Sequence, residues 1–191
     1  MTSLSETVLD LYRWTVEDYH RLGKTGILGE DSRVELLNGQ IVQMSPIGNL
    51  HAACVDLLGD LFRELLGKSV IIRVQNPVVL NVHSEPEPDL AILKRKENFY
   101  ADGHPRPEDI QLIVEVADTT LEKDRTVKKQ LYASAGITEY WIINLPDQQV
   151  EQYLDPFGED YRLAHTYKSG QAVESVLLGT VPVSTILPQG N

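Results

Sequence analysis

Apolar positions recur along the chain at two spacings, and the switches between them divide it into elements. Over residues 49–66, Leu50, Ala53, Cys54, Leu57, Leu58, Leu61, Phe62, Leu65 and Leu66 return every three or four positions, which predicts an amphipathic helix stopped by Gly67. A second helix is expected over 121–134, capped by Thr119 or Thr120 and closed at Gly136. A shorter one should follow Thr15, with Glu17 and Asp18 in its first turn, and end at Gly23. Strand patterns fill the spaces between. Residues 33–37 and 40–44 flank Asn38-Gly39, a strong two-residue hairpin turn. Residues 70–74 and 78–82 read as strands separated by Pro77. Residues 89–93 form a short apolar strand headed by Asp89 and approached through Pro86 and Pro88. Further strands are expected at 111–116, 139–145 and 149–154, the last pairing with 161–167. Residues 94–109 carry no pattern, and a connection that long is expected to be mobile or functional. The tail over 172–191 is apolar but broken by Pro182 and Pro188, and it reads as covering structure.

The middle of the chain therefore runs helix, strand, strand, strand, helix, strand. That order predicts an α/β fold with a mixed sheet and helices packed on it, not a strict βαβ repeat. The unit 111–116, 121–134 and 139–145 suits a right-handed crossover. A length of 191 residues predicts a single domain over 1–191, with a core at about 33–145. No repeat is visible, no apolar run is long enough to span a bilayer, and the start has no export signal, so no membrane association is expected. Cys54 is the single cysteine, which excludes an internal disulfide and a cysteine-built zinc cluster and suggests a reducing cytoplasm. Lys plus Arg give 17 and Asp plus Glu give 28, a formal charge of −11. Such a balance excludes a protein that coats polyanions by bulk positive charge, but not a nucleic-acid enzyme with a local basic patch.

Two acids stand where strands should be apolar. Glu115 shares its strand face with Ile113, opposite Leu112, Val114 and Val116. Either that face is partly exposed, or the carboxylate is buried and must be paired or bind a metal. Asp89, after a proline at a strand start, reads as a turn residue or as a second member of the same site. Two strands each carrying a carboxylate near one sheet edge would make a hard oxygen site suited to Mg²⁺ or Mn²⁺, which activates water and stabilises phosphoryl charge. Asp124, Lys128 and Tyr132 follow at helical spacing, and a surface ion pair is the plainer reading of Asp124–Lys128.

Pro88-Asp89, Glu115 in an apolar strand and a later lysine resemble the PD-(D/E)XK nuclease superfamily. The stretches "RVELLNGQIVQMSPIG", His51, "EPDLAIL" and "VEVADTTLEKDRTVKKQLYASAGITEYWIINL" narrow this to a close resemblance to the Uma-type family of restriction endonucleases, over about residues 12–155. The resemblance implies a restriction-endonuclease-like αβββαβ core, with an extra N-terminal hairpin and C-terminal strands. The core strands would be 70–74, an interrupted 78–93 and 111–116. It implies a Mg²⁺- or Mn²⁺-dependent DNA endonuclease in which Asp89, Glu115 and the backbone carbonyl of Val116 hold the ion. The superfamily's usual lysine position is here Ala117, and the Uma pattern places the lysine in the following helix, at Lys128, to orient the attacking water and counter phosphate charge. Glu35 matches the family's early glutamate and would lie near the metal.

His51 also matches. It would contact phosphate or orient a carboxylate, but capping the helix start or bonding backbone is the favoured role. Gln75 is expected to line the same cleft. Lys94, Arg95 and Lys96, with Lys123, Arg125, Lys128 and Lys129, either flank one DNA-binding cleft or are ordinary surface lysines and arginines. Tyr132 and Trp141 read as core aromatics. A homodimer is expected, because two copies double the contacts of an acidic chain and suit cutting two strands. The alternative is a nuclease-fold binding module for DNA or protein without catalysis, favoured by the −11 charge and the missing Glu-x-Lys. A third possibility is an enzyme on a smaller phosphodiester.

Overall fold

The computed structural model describes residues 11–29 and 31–188. Thr15 opens helix α1 (Val16–Lys24) with a reciprocal cap: its hydroxyl accepts from the Asp18 amide, and the Asp18 carboxylate accepts from the Thr15 amide. The hairpin β1 (Val34–Leu37) and β2 (Gln40–Gln43) turns at Asn38 and Gly39, whose φ angles of 51° and 77° are the left-handed values such a turn requires. Helix α2 (Asn49–Leu66) buries one stripe formed by Cys54, Val55, Leu58, Gly59 and Phe62 and ends at Gly67.

Six strands form the central sheet in the order β3 (Val70–Val74), β4 (Leu90–Lys94), β5 (Ile110–Ala117), β6 (Glu139–Asn144), β7 (Gln149–Phe157) and β8 (Asp160–Lys168). Strands β5 and β6 run parallel, joined by a helical crossover, and the other neighbours are antiparallel. The crossover is α3 (Leu121–Lys123), a π-helical turn (Asp124–Lys128) and α4 (Lys129–Ser134). A hairpin of β9 (Ala172–Ser175) and β10 (Gly179–Pro182), followed by α5 (Val183–Ile186), completes the described chain. Among the described residues, no helix is long and apolar enough to cross a membrane.

Strand alternation sorts the core into two layers. Leu90, Ile92, Leu112, Val114, Val116, Trp141 and Ile143 pack with α2, the β9–β10 hairpin and α5. Ala91, Leu93, Ile113, Ala117, Tyr140 and Ile142 face the other way, against Leu131, Tyr132 and Ala133 of α4 and against Val78 and Leu80. Glu115 alternates with Ile113 and Ala117, so its side chain enters the layer beneath the crossover helix. Asp89 alternates with Ala91 and Leu93 and enters the same layer. The partly exposed face is therefore not what the fold builds: Ile113 is fully buried and Glu115 is 2% exposed.

One expectation requires correction. Residues 78–82 are not a strand, so the interrupted 78–93 strand is β4 alone. Strand β3 already pairs directly with β4, from Val74 opposite Leu90 to Val70 opposite Lys94, which leaves no opening between them. The segment instead hooks back on itself: the Leu80 amide donates to the Ser84 carbonyl at 3.0 Å, and the Val78 amide to the Pro86 carbonyl at 3.0 Å. The patternless 94–109 connection has a definite course. The Tyr100 hydroxyl donates to the Lys94 carbonyl at 2.8 Å, Lys96 pairs with Asp109 at 2.8 Å, and the Val79 amide reaches the Pro105 carbonyl at 2.9 Å. It returns along the end of β4 and presents His104 to the N-terminal region.

Candidate active site

Asp89 sits immediately before β4 and is tied into the sheet by its side chain. Its Oδ2 accepts from the Val116 amide at 2.8 Å. Its Oδ1 contacts His51 Nε2 at 2.9 Å and accepts from Gln75 Nε2 at 3.2 Å. The carboxylate continues the β4–β5 ladder where the β4 backbone turns away. Glu115, on β5, accepts at Oε1 from Lys128 Nζ at 2.9 Å and from the Tyr132 hydroxyl at 2.6 Å. Among the described residues no hydrogen bond reaches its Oε2. Lys128 is 4% exposed, and its Nζ lies 3.3 Å from Glu35 Oε2. Glu35 also takes Lys123 Nζ at 2.8 Å on Oε1 and the Glu87 amide at 3.3 Å on Oε2. Asp124 is buried in the π turn, with Oδ2 accepting from the Thr120 hydroxyl at 2.6 Å.

These groups line one pocket of about 50 Å³, room for one or two waters or an ion rather than an organic ligand. The acids Glu35, Glu87, Asp89, Glu115 and Asp124 line it together with Arg33, Lys123 and Lys128, so acids outnumber the lysine and arginine side chains. Burial pushes Glu115 up to about 8; Lys128 opposes this, while Asp124, Asp89 and Glu35 add to it. Burial likewise raises Asp124 above the usual carboxylate range. Asp89 is also buried, but the His51 hydrogen bond and charge, the Val116 amide and Lys128 hold it below its ordinary value. Burial alone would lower Lys128, but Glu115, Glu35 and Asp124 outweigh it and keep the ammonium protonated. His51 is raised, chiefly by its bond to Asp89.

A family model described as "Uma2: Putative restriction endonuclease" matches residues 16–183. The chain belongs to the Uma2 family. A crystal structure titled as a putative nuclease belonging to DUF820, from Anabaena variabilis ATCC 29413, is similar, with a TM-score of 0.68 and 14% identity. The match covers 90% of this chain and 96% of that one. At this identity the likeness speaks for the fold, which is restriction-endonuclease-like. No curated protein matches.

In this Uma2 chain the structure brings Asp89, Glu115, Lys128 and Glu35 together, with His51 and Gln75 beside Asp89. His51 does not cap α2, which starts at Gly48 without a side-chain cap; it bonds a carboxylate instead. The Asp124–Lys128 surface pair is also corrected, because both residues are buried and Lys128 turns to Glu115 and Glu35. Lys94, Arg95 and Lys96 lie elsewhere, at the opposite end of β4 from Asp89, roughly 16 Å along the strand. Lys96 is bound to Asp109, and Arg95 lies 4.4 Å from the Phe99 ring centre. Arg125 and Lys129 face away as well, donating to Glu151 and pairing with Asp160. Of the expected basic group, Lys123 and Lys128 line the pocket. Tyr132 and Trp141 are fully buried, as core aromatics should be, and Tyr132 in addition donates to Glu115. Sequence reasoning missed Thr120 and Glu87 as pocket residues and gave Asp124 as a candidate behind the plainer surface-pair reading. The signal available for Asp124 was its position four residues before Lys128.

Proposed function

We propose that this chain is a Mg²⁺- or Mn²⁺-dependent endonuclease that hydrolyses DNA phosphodiester bonds at this pocket. The observation that carries the reading is the meeting of Asp89, Glu115 and Lys128, from three separate elements, around one small cavity. The donor set fits a hard divalent cation. Asp89 and Glu115 offer carboxylate oxygens, and Glu115 Oε2 is unengaged among the described residues. A residue in a strand directs its amide and carbonyl to the same side, so the Val116 carbonyl shares the Asp89 side with the amide that Asp89 binds. Crowding and burial push Glu115 and Asp124 towards their neutral forms, and a bound cation would favour their charged forms instead. When bound, such an ion lowers the pKa of a coordinated water and neutralises charge on the phosphoryl group.

The chain's own groups divide the remaining work. Lys128 places an ammonium beside Glu115, where it orients the attacking water and counters phosphate charge. Glu35 and Tyr132 fix the positions of Lys128 and Glu115. His51 and Gln75 fix Asp89. Lys123, with its side chain 24% exposed, offers a second positive charge to an incoming backbone. Two copies acting together would cut both strands, which is why we propose a homodimer.

The test is a supercoiled plasmid assay with Mg²⁺ or Mn²⁺. Nicking is expected from the native chain and is abolished in Asp89→Ala, Glu115→Ala and Lys128→Ala; full activity in EDTA overturns the metal role. One observation favours the non-catalytic binding module: Lys96, Arg125 and Lys129 are engaged by acids of the chain itself, within a net charge of −11. That reading requires no calorimetric response to Mn²⁺ and an Asp89→Ala variant at least as stable as the native chain.

A further inference from the structure

A second cluster of ligand-type side chains lies outside the pocket. His20 is at the middle of α1, Glu85 is in the hook between β3 and β4, and His104 is in the connection after β4. One ligand atom from each lies within 4.8 Å of the other two. His20 Nε2 stands 3.0 Å and 2.8 Å from the two carboxylate oxygens of Glu85. The imidazoles of His20 and His104 meet edge to face, with centroids 6.1 Å apart. We propose that His20, Glu85 and His104 form a binding site for a zinc-type divalent cation, separate from the pocket and independent of the nuclease reading.

The scaffold that presents the three groups is fixed. The Glu85 amide donates to the Leu36 carbonyl at 2.8 Å and the Leu36 amide to the Glu85 carbonyl at 3.3 Å, so Glu85 is locked against β1. Helix α1 is held by its Thr15 cap and by the Tyr19 hydroxyl, which donates to the Val34 carbonyl at 2.9 Å. His104 stands beside Pro105, whose carbonyl accepts from the Val79 amide.

The charge arrangement favours a cation. The Glu85 side chain is 4% exposed, and its one ion-pair partner among the described residues is His20, which is 41% exposed and positive only when protonated. No Lys or Arg among the described residues pairs with it. A buried carboxylate facing two imidazoles is short of positive charge, and buried charges are paired or bind metal. Among the described residues, neither ring nitrogen of His104 has a hydrogen-bond partner.

The donor chemistry selects the ion. Two imidazole nitrogens and one carboxylate suit zinc and its first-row neighbours, whereas Mg²⁺ prefers an all-oxygen shell. With zinc–nitrogen and zinc–oxygen bonds of ~2.0–2.2 Å, ligand atoms in a tetrahedral site stand ~3.3 Å apart. The 2.8 Å contact between His20 and Glu85 has to open slightly, and the remaining ligand atoms, within 4.8 Å of one another, have to draw in. His20 and His104 border an open cleft of about 640 Å³, which gives an ion access and leaves room for water in the fourth position.

The test uses the full chain stripped with EDTA and titrated with Zn²⁺ by calorimetry, and with Co²⁺ by visible absorption. The native chain and Asp89→Ala should each bind one ion at this site, with the intense visible bands of tetrahedral Co²⁺. His20→Gln and His104→Gln should each lose that ion and those bands. The metal-free melting temperature of His104→Gln should stay near the native value, because among the described residues its ring has no hydrogen-bond partner to lose, while His20→Gln keeps an amide donor for the buried Glu85. Zinc at a hundredfold excess over its Kd should raise the native melting temperature by roughly 5–10 °C and leave the two variants unmoved. No zinc binding by the native chain, or equal binding and equal Co²⁺ spectra in both histidine variants, overturns the site. Loss of the ion in Asp89→Ala with retention in His104→Gln assigns it to the pocket and also overturns the proposal.

Discussion

Glu115 and Glu151 stand on strands of the same sheet, are 2% and 4% exposed, and have opposite electrostatic fates. Glu151 accepts from Arg125, Asn144, Gln149 and Tyr153. Burial alone would raise it, but those four donors bring it down to about 2. Among the described residues Glu115 has donors only on Oε1; it faces Asp124, Asp89 and Glu35 and is pushed up to about 8. Burial therefore does not by itself set the state of a carboxylate. The difference lies in how fully its lone pairs are used and in the sign of its neighbours. A fully engaged carboxylate braces a sheet; one left half-engaged among other acids keeps a lone pair open, which is what the proposed cation site requires.

Function should separate the two most strongly. Asp89→Ala, Glu115→Ala and Lys128→Ala should each reduce plasmid nicking by about 10²–10⁴-fold or more, while Glu151→Ala should leave the rate per folded molecule within a few-fold of native. Stability should separate them in the other direction. Glu151→Ala strands Arg125 and Asn144 and should cost about 3 kcal/mol in urea unfolding. Glu115→Gln replaces a carboxyl that burial and the neighbouring acids already push towards its neutral form, while Lys128 keeps Glu35 as partner. It should be neutral or more stable by up to about 1 kcal/mol. Glu115→Gln losing as much stability as Glu151→Ala would break the contrast.

Acid sharpens it further. The folded pKa of Glu151 is depressed, so its contribution is fully present above the ordinary glutamate value and is lost as pH falls from about 4.5 towards about 2. Native protein should lose stability over that window more steeply than Glu151→Gln, measured by urea midpoints at stepped pH. The smallest effect expected is from Tyr132→Phe. It removes one of two donors on Glu115 Oε1, and should slow nicking a few-fold and cost about 1 kcal/mol.

Much of this contrast could be read from the chain before any fold was known, but unevenly. The alternation that put Glu115 opposite Val114 and Val116 is a two-residue period, and it survives folding unchanged. Asp89 stands out as an acid heading an apolar strand and Lys128 as a lysine at helical spacing from Asp124, whereas Glu35 emerges through motif resemblance alone, and the fold gathers all three. Residues 78–82 misled because a run of Val and Leu beside a proline looks the same in a hook as in a strand; the deciding fact, that β3 pairs directly with β4, is long-range. The basic cluster misled for a related reason. Composition counts lysines and arginines, but whether each is free depends on acids brought from Asp109, Glu151 and Asp160. The π turn and the β9–β10 hairpin also left no local mark.

The wide turn at Asp124–Lys128 has a consequence for reading relatives of this chain. A π turn carries one more residue than a regular helical turn. Losing that residue would let the turn close as ordinary α-helix, with the segments on either side left nearly in phase. Asp124 and the lysine would then stand three apart, and Asp124 and the tyrosine seven apart, spacings that still share a helix face. A homologue one residue shorter here is therefore expected to keep its ammonium among the acids, and a shifted spacing between these positions is no sign of disarmament.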